Sequence, residues 1–243
     1  MRTLGASHPG RVRSSNQDAF LCGKLTEATA FAVVCDGMGG ANGGNIASSI
    51  AMRCIADRLV EDYRESATPE AIRELLESAV ADANGEVYRA ACEDADLFGM
   101  GTTVVAAIAT PDAIYIAHVG DSRAYLITPR HIEQITRDHS VVQDMVDKGQ
   151  ITAEQAKTHP QKHFLTRALG VEAETECAFT RVSFPEDATL LICTDGLSNL
   201  VAADMIQSLV RTFSFADIPM KLVTTANLAG GSDNITVVAV TKN

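Results

Sequence analysis

Apolar runs with no polar alternation recur along the chain: TAFAVVC (29–35), TTVVAAIA (102–109), AIYIAHV (113–119), TLLICT (189–194) and NITVVAV (234–240), with AFLCG (19–23) and RAYLIT (123–128) beside them. Short runs of this kind, bounded by Gly, Asp or Pro, predict strands buried on both faces. Two stretches follow a helical period instead. In 43–64 it groups Ile46, Ile50, Cys54 or Ile55, and Leu59; in 69–91 it groups Ile72, Leu75, Leu76, Ala79, Val80, Ala83 and Val87, behind Thr68 as N-cap and Pro69 at the first helical position. Further helical patterns cover 140–148, 203–213 and 217–229, the last ended by Gly230 and Gly231. Thr152 and Gln155 form a capping box ahead of the break at Pro160. Most strand connections are short, which predicts antiparallel pairing. The expected fold class is α+β: a four-layer α-β-β-α sandwich, with a central antiparallel β-sandwich flanked by helix pairs.

With no repeat, linker or low-complexity segment, residues 1–243 are expected to form a single domain, with an excursion from the sheet at about 139–169. Composition narrows the setting. At 46% hydrophobic and 21% charged the chain is typical of a soluble globular protein. MRTLGASHPG lacks the apolar centre of a signal peptide, and no later run approaches the roughly 18 apolar residues of a membrane span. Six cysteines show no CxxC pair, and Cys22, Cys35 and Cys193 lie inside apolar runs, as reduced thiols do. A cytoplasmic location away from membranes is therefore expected. The net charge of −11 argues against nucleic acid as a partner.

The aspartates change the picture from fold to chemistry. Asp36 and Asp195 follow apolar strands, Asp18 and Asp233 precede them, and Asp121 lies in the turn of an expected hairpin, AIYIAHVGDSRAYLIT. If the first pair of strands runs up and the second runs down, all five carboxylates reach one edge of the sheets. Asp-Gly is also an ordinary way to stop a strand, so no single position decides this. As a group they do, because two carboxylates 4 to 5 Å apart repel by roughly 3 to 4 kcal/mol at an effective dielectric near 20. All-oxygen donors select Mg²⁺ or Mn²⁺, and less readily Ca²⁺. Two such ions, bridged by Asp36 and reached by the Gly37 carbonyl, can acidify a water. Arg13, five residues before Asp18, could fork onto the oxygens of a phosphate held there.

RSSNQDAF, VVCDGMGG, GTTVVAAI, HVGDSRAY, ITRDHSVV, LTRALG, LLICTDGL and GSDNITVV, in that order, resemble the signature set of the bacterial metal-dependent protein phosphatases of the PPM or PP2C type. The resemblance spans nearly the whole chain. It implies hydrolysis of phosphoserine and phosphothreonine in proteins by metal-activated water, with no phosphoenzyme. It further implies that Asp36 bridges two Mn²⁺ or Mg²⁺ ions, Asp195 and Asp233 complete the first, and Gly37 serves the second. Arg13 would hold the phosphate, and Asp18 would orient waters at the metals. Asp121 with Asp195 would host a third, weaker ion, and Asn234 would support Asp233. By the same resemblance 139–169 is a flap controlling substrate access, and a serine/threonine kinase shares the substrates. The protein is expected to be a monomer. Gln17 stands where many relatives carry Glu, and Met38 where eukaryotic members place a His proposed as general acid. His163 could reach a substrate from the flap, whereas His139 and His118 are expected to act as hydrogen-bonded structural residues. Two other readings share part of this logic: a two-metal nuclease or phosphodiesterase, disfavoured by the charge, and a phosphoprotein-docking module without catalysis.

Overall fold

The computed structural model describes residues 1–40 and 43–242. Among the described residues eleven strands are present: β1 (Arg2–His8), β2 (Asp18–Lys24), β3 (Ala30–Met38), β4 (Gly101–Thr102), β5 (Val104–Ala109), β6 (Ala113–Val119), β7 (Arg123–Ile127), β8 (Ile132–Gln134), β9 (Ala178–Ser183), β10 (Thr189–Cys193) and β11 (Ile235–Thr241). Helices α1 (Gly43–Asp62) and α2 (Pro69–Glu93) follow β3; α3 (Val141–Asp147) and α4 (Ala153–Lys157) lie between β8 and β9; α5 (Asp195–Ser198), α6 (Ala203–Thr212) and α7 (Ile218–Leu228) separate β10 from β11. One sheet runs β1-β11-β10-β7-β8 and the other β2-β3-β5-β6-β9, with β4 attached to β3, and every pairing is antiparallel.

Strand parity explains the unbroken apolar runs. In β3, Phe31, Val33 and Cys35 pack with α1 and α2, while Ala30, Ala32 and Val34 face the other sheet. In β10, Leu190 and Ile192 join that inter-sheet layer, while Leu191 and Cys193 pack with α5, α6 and α7. Each central strand is thus covered on both faces, which removes the polar alternation of a half-exposed strand. The result is the expected α-β-β-α sandwich. Among the described residues no helix is long and apolar enough to cross a membrane.

Three expectations change. The 102–109 run breaks at Thr103, whose backbone N–H and side chain turn to Asp36 rather than continuing the ladder. β3 does not stop at Asp36: Gly37 and Met38 remain paired, with Thr102 and Gly101, and the turn begins only at Gly39 and Gly40, with φ of 122° and 46°. The connection from β6 to β7 is not a hairpin, because β6 and β7 lie in different sheets. Gly120, at φ 105°, lets the chain cross between layers, and it exchanges two hydrogen bonds with His139.

Because Ile116 is fully buried in the inter-sheet layer, Ile116→Ala should lower stability by about 2 to 5 kcal/mol, read from denaturant unfolding.

Candidate active site at the rim of the sandwich

The same parity that builds the inter-sheet core delivers polar groups to its end. Asp36 follows Ala32 and Val34 on the inward face of β3, and its register partner across β2 is Asp18. Thr194 and Thr236 extend the inward rows of β10 and β11, while Thr103 and Ser122 do so beside β5 and β7. Asp121 enters from the inter-sheet crossing, Asp195 from the first residue of α5, and Asp233 from the residues before β11. Arg13, Asp36, Asp121, Asp195, Asp233 and Asn234 line one cleft of about 630 Å³, together with Gly37, Gln17, Met38 and His163. Asp18 lies just behind it, hydrogen-bonded to the strand ends.

The acidic groups are half-buried, and their surroundings resist ionisation. Asp18 is pushed up to about 7, chiefly by desolvation and further by Asp195 and Asp233, against hydrogen bonds donated by Thr236 and Thr194 at 2.6 and 3.0 Å. Its other oxygen, Oδ1, is buried and has no partner. Burial is also the first cause for Asp36, which is raised well above the ordinary carboxylate range with help from Asp18 and Asp195. Asp121 rises to about 7 through desolvation and then Asp195. Asp195 rises through desolvation and Asp233, with partial relief from His163, Arg123 and Asp36. Arg13 pairs with Asp233 at 2.9 Å.

A fixed scaffold surrounds these groups. The Asn234 side chain donates to the carbonyls of Pro9 and Ser15, each at 2.9 Å, and accepts from the Gln17 N–H at 2.7 Å. It thereby pins the loop that carries Arg13. The Gln17 amide donates to the Gly40 carbonyl. Thr103 Oγ1 accepts the Asp36 N–H, and the N–H of Thr103 and hydroxyl of Thr102 both donate to the Asp36 carbonyl. A Cβ on Gly37 would collide with the carbonyl oxygens of Gly44 and Gln17, so glycine is required there by close approach rather than by a turn. Arg123 chelates Asp138 with contacts of 2.6 to 3.1 Å, and His118 stacks on His139 at 4.6 Å.

The sequence pattern anticipated the acidic residues, Arg13 and Asn234, and the structure brings them to one rim. It missed the hydroxyls of Thr103, Ser122, Thr194 and Thr236, whose signal is a Thr or Ser standing where an apolar period-two row would otherwise continue. Cys35 and Cys193 lie behind the rim; burial raises both thiols, Cys193 to about 12, which keeps them unreactive. Among the described residues no three acidic, histidine or cysteine side chains form a ready-made ligand cage. The unpartnered Asp18 oxygen, the crowded carboxylates and the all-oxygen donors fit hard divalent cations.

A family model described as Protein phosphatase 2C matches residues 4–228. The chain is 39% identical over 235 residues to a serine/threonine phosphatase stp of Listeria innocua, covering 96% of this chain and 93% of that one. Its fold is similar to the serine/threonine phosphatase Stp1 of Staphylococcus aureus, with TM-score 0.92 and 32% identity over 98% of this chain and 93% of that one. It is also similar to the catalytic domain of a serine/threonine protein phosphatase PstP in complex with two manganese ions, with TM-score 0.85 and 32% identity over 98% of this chain and 96% of that one.

For Asp18 and Asp121 the folded pKa of about 7 exceeds the ordinary 3.8. Their contribution is therefore complete below about pH 4 and lost as pH rises through about 7. The thermal midpoint of metal-free protein should fall by several degrees between about pH 4 and pH 8. Asp18→Asn, whose amide oxygen can keep both threonine bonds, should flatten that slope in a calorimetric series.

Proposed function

The chain belongs to the protein phosphatase 2C family, and from that premise we infer that it hydrolyses phosphoserine and phosphothreonine in proteins by direct attack of water, with no phosphoenzyme. The observation that carries this reading is the convergence of Arg13, Asp36, Asp121, Asp195 and Asp233 on one cleft. Asp36, Asp195, Asp233 and the Gly37 carbonyl would hold two Mn²⁺ or Mg²⁺ ions, a reading supported by the similarity to a PstP catalytic domain in complex with two manganese ions, and Asp121 with Asp195 would hold a third, weaker one. Such ions supply charge neutralisation, polarisation of a phosphoryl oxygen and a lowered water pKa.

The chain's own groups do the rest. Arg13, exposed at the mouth of the cleft, has a planar fork suited to two phosphate oxygens. Asn234 keeps the Arg13 loop seated. Asp18, with both threonine hydroxyls on one oxygen, presents the other as an acceptor for water inside the rim. The cleft lining contains no cysteine or serine among the described residues, and the Thr103 hydroxyl is committed to the Asp36 N–H and to Ser122. That supports water as the nucleophile. Met38 has no proton to give, so the leaving oxygen must take one from water or from another group at the cleft.

Residues 1–243 constitute one phosphatase domain, with the flap at about 139–169, acting as a monomer. The reading places the enzyme in the cytoplasm, where its six free cysteines stay reduced, opposite a serine/threonine kinase acting on the same phosphoproteins.

Phosphothreonine-peptide hydrolysis should require added Mn²⁺ or Mg²⁺ and cease with chelator. Asp36→Asn and Asp195→Asn should each lower kcat by about 100-fold or more. Arg13→Ala should act mainly by raising KM, since it removes phosphate binding. Full activity of Asp36→Asn at the same metal concentration would refute the assignment.

A further inference from the structure

A second groove, of about 340 Å³, opens beside the catalytic cleft. The two share Met38 and Leu165 in their linings, so a peptide leaving the cleft past these side chains runs directly into the groove. Its apolar lining includes Leu165, Ala168 and Val171, and its charged lining consists of Arg167, Glu172, Glu174 and Glu176. Arg167 engages Glu176 at 2.7 Å. Glu172 and Glu174 are exposed, and among the described residues neither carboxylate has a hydrogen bond or ion pair.

The loop bearing them is built rather than loose. Asn84 is buried on the otherwise apolar face of α2. Its amide donates to the carbonyls of Glu172 and Ala173 at 3.1 and 3.0 Å and accepts from the Gly170 N–H at 2.9 Å. All of its hydrogen-bonding capacity in the structure is directed at this one loop. Gly170 adopts φ 82° with Val87 packed where a Cβ would sit, so the turn cannot shift toward α2. Support of this kind lowers the ordering cost of binding a partner.

We propose that this groove is a substrate subsite, resting on the phosphatase reading, that takes a lysine or arginine side chain flanking the phosphorylated serine or threonine. The alkyl stem lies along Leu165 and Val171, and the cationic head meets Glu172 and Glu174. The groove that shares Asp121 and Asp195 with the cleft is lined by Lys157 and Lys162 as well as by carboxylates, whereas Arg167, the cation lining the Met38–Leu165 groove, is paired with Glu176 and leaves Glu172 and Glu174 to face a ligand. Selection for a basic residue is therefore one-sided along the peptide.

Phosphothreonine peptides of equal length, with Lys, Gln or Glu at successive positions on either side of the phosphothreonine, test this against p-nitrophenyl phosphate as a substrate without flanks. On one side only, Lys peptides should exceed Glu peptides in kcat/KM by about threefold to tenfold, through KM, with the advantage shrinking in salt. Glu172→Gln combined with Glu174→Gln should abolish that preference and leave p-nitrophenyl phosphate turnover unchanged. Peptide turnover without a preference in the wild type, or a preference that survives the double substitution, overturns the subsite and leaves the phosphatase reading intact. No turnover of any peptide or of p-nitrophenyl phosphate in Mn²⁺ overturns both.

Discussion

Several carboxylates are forced together at one end of the inter-sheet layer by the registers of β2, β3, β10 and β11, and the resulting repulsion governs the rest of the rim. Asp18 and Asp36 are direct cross-strand partners, an arrangement that is unfavourable for like charges. The protein compensates only in part. Two threonine hydroxyls satisfy one oxygen of Asp18, Arg13 answers Asp233, and the other Asp18 oxygen has no partner. What remains uncompensated is an affinity for divalent cations. The feature that makes the unloaded protein less stable at neutral pH is the same one that makes the site reactive, a trade familiar at functional sites.

Rigidity around the rim comes from side chains that never touch a substrate. Asn234 ties three backbone positions of the 9–17 loop, so Arg13 projects from a seated loop although it is itself exposed. Arg123 with Asp138, and His118 with His139, lock the start of the 139–169 excursion to the crossing that carries Asp121. Both imidazoles are held below their ordinary pKa, first by burial, so they act as neutral hydrogen-bonding plates rather than charges near the cations.

The sequence was legible where strands are covered on both faces and, apart from β2 read from AFLCG, opaque at the sheet edges. TAFAVVC, TTVVAAIA and TLLICT are covered on both faces and read as unbroken apolar runs. The three unanticipated strands, β1, β8 and β9, are all at sheet edges, where solvent on one side admits Arg2, Ser7, Glu133, Gln134 and Arg181 and erases that signal. The β6–β7 crossing imitates a hairpin because two short runs around Gly-Asp-Ser look alike whether the chain returns to the same sheet or enters the other. Individual aspartates were legible because each stands at the end of an apolar run. Their hydroxyl partners were not, because a buried threonine fits a strand as well as valine does.

Chemistry and selectivity therefore sit on different kinds of support. The acidic groups stand at strand ends whose positions follow from ladder register and cannot drift independently. The 139–169 excursion is joined to that frame at its roots: Ser140 bridges Leu165, and Thr102 bridges Leu169 while its hydroxyl bonds the Asp36 carbonyl. Beyond those roots, α3 buries only Val142 and α4 buries nothing, so little apolar contact holds the tip. Thr102 is where the two regimes meet, because one residue fixes both the backbone of the central aspartate and the chain leading to the 170–176 loop. Substitutions beyond it can reshape what enters the cleft without disturbing the register that assembles the carboxylates.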